Sequence, residues 1–169
     1  MSKMIQIIQV TSEEHNTHIR QLFLEYVQFI QKTAKEYGIS LEIDATLQEF
    51  MAGVNAFHPP NGRIILAKYE DEFAGIGCLK QLSDKVGEIK RMFVRPKYRR
   101  KGFGKEILDK LIADARSIGY VKLRLDSPNA FSAAHSLYES SGFCYIDAYE
   151  GSEAAESTPD LAVYMELDL

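Results

Sequence analysis

Apolar residues along this chain switch between a two-residue and a three-to-four-residue rhythm, and each switch marks an element. Residues 3–10 (KMIQIIQV) predict a strand. A helix follows, capped by Thr11 or Ser12, with Glu13 and Glu14 near the positive end of its dipole. Its apolar stripe is Ile19, Leu22, Phe23, Tyr26, Val27, Ile30, Ala34 and Tyr37, and Gly38 is the stop signal. A shorter helix around 44–55 places Leu47, Phe50, Met51 and Val54 on one face, and His58-Pro59-Pro60-Asn61-Gly62 breaks the pattern.

Strand rhythm then takes over. Residues 63–69 and 73–82 flank the turn Glu70-Asp71-Glu72 as an antiparallel hairpin, and 87–94 is a further strand ended by Arg95-Pro96. A helix from Gly102 to about Ile118 buries Phe103, Ile107, Leu108, Leu111, Ile112 and Ala115, with Gly119 closing it. A strand at 121–126, a helix at 130–141 stopped by Gly142, a strand at 143–149, a loop at 150–160 and a strand at 161–167 complete the chain. The order β-α-α-β-β-β-α-β-α-β-β predicts an α/β (α+β) fold with a mixed central sheet of six to seven strands and helices on both faces. The strand–helix–strand unit at 87–126 implies a parallel pair joined by a right-handed crossover. No internal repeat or dividing linker is found, so residues 1–169 are expected to form one domain.

Composition narrows the function classes. A hydrophobic content of 46% and a charged content of 26% fit a soluble globular domain, and no apolar run reaches the ~18 residues that a membrane span needs. The opening residues Met1–Gln6 are too brief and too polar for a secretory signal. Cys78 and Cys144 lie in apolar, strand-like surroundings; two buried reduced thiols of a cytoplasmic protein are expected, a single disulfide being the alternative. Neither has a ligand at metal-binding spacing, so no metal is expected. The net charge is −4, yet Arg95, Lys97, Arg99, Arg100, Lys101 and Lys105 cluster without an acid among them. A basic cluster in an acidic protein is a local anion site.

That cluster runs from the end of a strand, through Gly102-Phe103-Gly104, into a helix. The first amides of a helix lack internal acceptors and carry partial positive charge, and glycine lets a diphosphate approach the backbone. A P-loop is excluded because Lys105 is followed by Glu106, and a dinucleotide loop because Ile107 stands where the third glycine belongs. A capped helix with a solvated basic turn is the plainer alternative.

Arg99-Arg100-Lys101-Gly102-Phe103-Gly104 resembles the Arg/Gln-x-x-Gly-x-Gly/Ala signature of the GNAT (Gcn5-related N-acetyltransferase) superfamily. The run from Glu88 to Gly102 is similar to that family's strand and following turn, and Ala134–Phe143 is similar to its second motif. The resemblance is strong over residues 63–146 and weaker outside them. It implies the acyl-CoA N-acyltransferase (GNAT) fold, with acetyl-CoA as co-substrate in an opening between strands 87–94 and 121–126. Met92, Phe93 and Val94 would then line the pantetheine arm, with backbone groups of Met92 and Val94 pairing with it. The turn residues Arg99, Arg100, Lys101, Gly102, Phe103, Gly104 and Lys105 would hold the pyrophosphate. The family often has Asn seven residues before the motif tyrosine; here that position is Phe131, with Asn129 two residues earlier.

Acetyl transfer to an amine needs a base for the nitrogen, stabilisation of an oxyanion and protonation of the departing thiolate. Glu88, a carboxylate in a central strand and at the position where a histone-acetyltransferase branch has its base, is the candidate base, directly or through a water. Alternation puts Glu88, Lys90, Met92 and Val94 on one face unless a bulge intervenes. Pairing with Lys90 or Arg91 is the alternative reading of Glu88. Tyr138 holds the position that the family commonly uses to protonate the thiolate; core packing is its alternative. Asp126-Ser127, at a strand end, is a weaker candidate for a ligand contact, and His15, His18 and His135 are read as surface or packing residues. Acceptor-shaping elements are expected at 12–55 and 145–162, where the acidic residues of the loop could attract a cationic amine. The expected activity is acetyl-CoA-dependent N-acetylation of a primary amine in a ternary complex, and the alternative is a non-catalytic acyl-CoA-binding module. No nucleic-acid or membrane partner is expected; a homodimer is left open.

Overall fold

The computed structural model describes residues 4–169. Lys3, the first residue of the predicted opening strand, lies outside them. The elements in chain order are β1 (Gln6–Gln9), α1 (Asn16–Glu36), α2 (Ile43–Ala52), β2 (Arg63–Tyr69), β3 (Glu72–Ser83), β4 (Val86–Val94), α3 (Phe103–Ile118), β5 (Lys122–Pro128), α4 (Ser132–Ser140), β6 (Cys144–Ile146), α5 (Glu153–Ser157) and β7 (Ala162–Asp168). The strands form one seven-stranded mixed sheet in the order β1-β2-β3-β4-β5-β7-β6. Every neighbouring pair is antiparallel except β4 and β5.

Strand alternation builds two cores from one sheet. In β2, Ile65 and Ala67 face α3 and α4, meeting Ile107, Leu108, Leu111 and Tyr138. Ile64 and Leu66 face α1 and α2, meeting Ile19, Leu22, Phe23, Leu47 and Phe50. Of the stripe read from its spacing, Ile19, Leu22, Phe23, Tyr26 and Val27 join this second core, whereas Tyr37 is half-exposed past the end of α1; the helix ends as expected. Ile39 N donates to Ala34 O at 3.0 Å and Gly38 N to Lys35 O at 3.1 Å, closing the helix around Gly38. Its start differs: Glu13–His15 form a 3-10 turn, and Ser12 makes no side-chain cap bond.

The centre of the sheet departs from simple alternation. Ile76 pairs with Phe93 and Cys78 with Lys90, so two steps along β3 face three along β4. Arg91 takes up the extra residue with φ 56, a left-handed conformation that costs an L-residue roughly 1–2 kcal/mol. Side-chain parity flips there. Ile89, Met92 and Val94 all pack on the α3 side, and Phe93 packs on the α1 side. The expected common face for Glu88, Lys90, Met92 and Val94 is therefore corrected: Glu88 and Lys90 lie on the α1–α2 face, Met92 and Val94 on the other.

The end of the chain is less regular than its sequence suggests. The predicted strand at 143–149 shrinks to three residues, because Phe143 joins the core and Tyr149 turns inward. The expected loop contains α5, whose first turn is capped by Ser152 Oγ accepting from Ala155 N at 3.1 Å. Both cysteines are free; Cys78 is buried as expected, and burial pushes its thiol up to about 12. Cys144 is exposed instead, because β6 is a short edge strand.

Candidate active site

The parallel ladder between β4 and β5 has three rungs: Val86–Lys122, Gly87–Leu123 and Glu88–Arg124. Beyond Glu88 the two strands part and leave unpaired backbone on both sides. The gap opens into a cavity of about 460 Å³. Of the residues expected to bind the co-substrate, Met92, Phe93, Val94, Arg99, Arg100, Gly102, Gly104 and Lys105 line this cavity, and so does Tyr138. Phe103 is instead a core residue, and with Lys101 it borders a smaller hollow of about 250 Å³ beside Ile5 and Tyr69.

At the wide end, the turn into α3 presents free donors. Glu106 N is the first amide of the helix with an internal acceptor, Gly102 O at 3.0 Å. The amides of residues 100–105 have no acceptor among the described residues. Gly102 has φ 90, which few side chains adopt, and a Cβ on Gly104 would stand 3.2 Å from Leu137 Cδ2 at the cavity wall. The basic cluster is smaller than its sequence suggests. Arg95 is bound to Glu25 and Lys97 to Glu72, while Lys105 pairs with Asp109 along the helix. Arg99 lies across the cavity, its Nε donating to Val94 O at 2.9 Å and its guanidinium stacked 4.5 Å from the Phe29 ring centre.

Tyr138 projects from α4 between this turn and the point where the strands part. It is buried, and its hydroxyl has no hydrogen-bond partner among the described residues. Burial above all, then the neighbouring Tyr26 and Asp126, push its pKa up, so the phenol stays protonated at neutral pH. Phe131 lines the cavity with its ring 5.0 Å from that of Phe29, whereas the Asn129 amide donates to Asp160 O at 3.1 Å. His135 Nε2 meets Ser127 Oγ at 3.0 Å in the core, a tether between α4 and β5.

Glu88 does not line the cavity. It is fully buried at the last rung of the parallel ladder, where Oε1 accepts from Tyr149 at 3.0 Å. Lys90 Nζ lies 3.5 Å from the same oxygen, and Lys80 Nζ lies 3.7 Å from Oε2. Burial raises its pKa, offset in part by Lys90 and Lys80. Lys90 is also 3.5 Å from both Asp126 and Glu153. Burial alone would lower its pKa, but Asp126, Glu88 and Glu153 outweigh that and raise it. Among the described residues no group of three or more His, Cys, Asp or Glu side chains is placed to hold a metal.

A strand splayed from its parallel neighbour over a glycine-marked, amide-rich turn is the arrangement that the sequence resemblance implied. The profile of the acetyltransferase (GNAT) family matches residues 19–143. The chain belongs to the GNAT family.

Individual GNAT relatives agree. The uncharacterised N-acetyltransferase YsnE of Bacillus subtilis is 41% identical over 81 residues, a stretch covering 47% of this chain and 54% of YsnE. The chain thus spans about half the length of that relative. Among solved structures, a GNAT acetyltransferase of Staphylococcus aureus superposes with a TM-score of 0.73 at 24% identity, covering 98% of this chain and 99% of that one. The PaiA N-acetyltransferase of Thermoplasma acidophilum, solved in complex with coenzyme A, superposes with a TM-score of 0.71 at 19% identity, covering 98% and 99%. These likenesses establish the GNAT fold.

Several residues of this GNAT site escaped the sequence. Tyr149, Ser152 and Glu153 come from the segment read as strand end and loop, and they meet Glu88, Asp126 and Arg91 across the sheet. The sequence offers Glu153 only as one of the acidic loop residues that could attract a cationic amine; nothing local marks its pairing with Arg91, or those of Tyr149 and Ser152, because each partner lies more than twenty residues away. Arg91 did carry a signal, since a charge inside a central strand needs a reason.

Proposed function

We propose that the protein is an acetyl-CoA-dependent N-acetyltransferase that acylates a primary amine by direct attack in a ternary complex. One observation carries the reading: Arg100, Gly102, Gly104 and Lys105, whose amides are acceptor-free, line the same cavity as Tyr138, between strands with open backbone edges. The diphosphate sits at the turn, held by those amides and the nearby Arg100 and Lys105. The pantetheine arm runs along Met92, Phe93 and Val94, and its hydrogen bond displaces the Arg99 contact to Val94 O. The thioester then lies beside Tyr138.

The amine lone pair forms the new C–N bond at the thioester carbonyl, the C–S bond breaks, and the amine surrenders one proton. A phenol with a raised pKa is a reluctant acid, so Tyr138 acts first as a hydrogen-bond donor to the developing thiolate, and gives up its proton only as the sulfur leaves. The amine proton passes to Glu88 through an intervening water, because that carboxylate is set back from the cavity. Its raised pKa makes it a better proton acceptor than an exposed glutamate. The described residues include no helix long and apolar enough to cross a membrane; the reading places the enzyme in the cytoplasm.

The deciding experiment is a mass-spectrometric screen of amines with acetyl-CoA and purified protein. Acetylated product that declines with Glu88→Gln and Tyr138→Phe supports the reading. Acetyl-CoA binding with no product across a broad panel favours a non-catalytic acyl-CoA module.

A further inference from the structure

The α1–α2 side of the cleft carries a device that acetyl transfer alone does not require. Arg91, at the bulge, lies with its guanidinium 3.6 Å from the centre of the Phe50 ring. Nη1 and Nη2 donate to the two oxygens of Glu153 at 3.2 and 3.3 Å, the forked geometry by which arginine recognises a carboxylate. Lys90 Nζ lies 3.5 Å from the same carboxylate. Arg91 Nε is buried and has no hydrogen-bond partner among the described residues, so the fork holds a donor in reserve.

The exposure of the partners is lopsided. The Lys90 and Arg91 side chains are 3% and 12% exposed, and Glu153 is 54% exposed. The anion is the member of the set that faces water. It stands on a five-residue helix and is held by the cations Arg91 and Lys90, whereas each of the other two carboxylates also accepts from a hydroxyl. Glu88 is held by Lys90 and by the Tyr149 hydroxyl at 3.0 Å, and Asp126 by Lys90 and by the Ser152 hydroxyl at 2.6 Å. Glu153 has no hydroxyl partner of that kind.

The fork connects to the cavity wall through packed rings. Phe50, under Arg91, lies 6.2 Å from Tyr26, and Tyr26 lies 5.9 Å from Phe93, which lines the cavity. A cationic group entering from this side meets carboxylates already engaged by Lys80, Lys90 and Arg91. An anionic group meets a fork whose present occupant is its most exposed member.

We propose that the acceptor is a primary amine that also bears a carboxylate, and that Arg91, aided by Lys90, binds that carboxylate in place of Glu153. The inference rests on the N-acetyltransferase reading of this cleft and names its substrate class. Glu153 is then a stand-in that keeps the Arg91 fork occupied while the acceptor is absent.

The test uses acetyl-CoA with matched acceptors: phenylalanine with phenethylamine, leucine with isoamylamine, lysine with cadaverine. The carboxylated member is expected to show a kcat/KM roughly 10- to 100-fold higher, the loss typical of missing charge-assisted hydrogen bonds. Arg91→Gln collapses that ratio, and Glu153→Gln, which frees the fork, lowers KM for the carboxylated members alone. Stabilisation by acetyl-CoA shows that each variant is folded. Equal or better use of the decarboxylated amines, or a ratio untouched by both substitutions, overturns the carboxylate assignment and leaves the acetyltransferase standing. Acetyl-CoA binding with no acetylation of either member of any pair overturns the enzyme reading, and this inference with it.

Discussion

The Tyr149 hydroxyl donates to Glu88 Oε1 at 3.0 Å, fastening the segment after β6 to the first half of β4 at a point where both side chains are buried. This bond favours the ionised form of Glu88 against the burial that opposes it. Tyr149→Phe is expected to raise the Glu88 pKa further and to cost about 1–3 kcal/mol of stability, since a buried carboxylate loses a donor. If Glu88 receives the amine proton, the acid limb of the kcat/KM profile moves to higher pH. Denaturant unfolding and a pH–rate series measure the two effects. An acid limb that stays in place, with stability lost, assigns Tyr149 a structural role only.

Tyr138→Phe removes one oxygen from the cavity and leaves the ring packing against Phe143, 5.8 Å away, intact. Turnover should fall roughly 10- to 100-fold, while affinity for acetyl-CoA changes little. Steady-state kinetics beside calorimetric titration separates the two quantities. Unchanged turnover removes Tyr138 from the chemistry.

Gly104→Asp places a branched anion where a Cβ already meets Leu137 at 3.2 Å and where the diphosphate is expected. The thermal stabilisation that acetyl-CoA gives the native protein should vanish, since ligand stabilisation scales with occupancy of the folded state. A melting shift equal to that of the native protein would place the diphosphate elsewhere.

Arg95 and Glu25 form a two-pronged pair, 2.8 and 2.9 Å, that ties the end of β4 to α1. Burial alone would raise the Glu25 pKa, but hydrogen bonds from Arg95 and Gln21 prevail and lower it from 4.5. A depressed carboxylate stabilises the fold above its unfolded pKa and loses that contribution as pH falls through the folded value. Glu25→Gln should therefore cost about 1 kcal/mol at neutral pH, and the difference should close in acid. Unfolding curves at neutral and acidic pH provide the check.

Much of this was legible in the chain itself. The stripe of α1, the hairpin β2–β3 and the glycine-opened helix α3 carry their causes within a few residues of sequence. The same holds for the turn at 99–105, whose composition alone suggested an anion. What stayed hidden depends on partners far along the chain. The bulge at Arg91 has no local mark, yet it reverses the faces of Met92 and Val94 relative to Glu88. The removal of Arg95 and Lys97 from the basic cluster is the work of Glu25 and Glu72, which only the fold brings near. Tyr149 and Glu153 reach the site because β6 ends early.

The three rungs joining β4 to β5 are the whole of the parallel seam in the sheet, so the molecule resembles an open book bound by a short spine, with α3 as the cover between its leaves. A molecule lying in the fold of that book touches both leaves. Each catalytic cycle would then stiffen the protein on loading and loosen it on release, and the exchange of backbone deuterium along 89–94 and 125–127 would keep time with turnover.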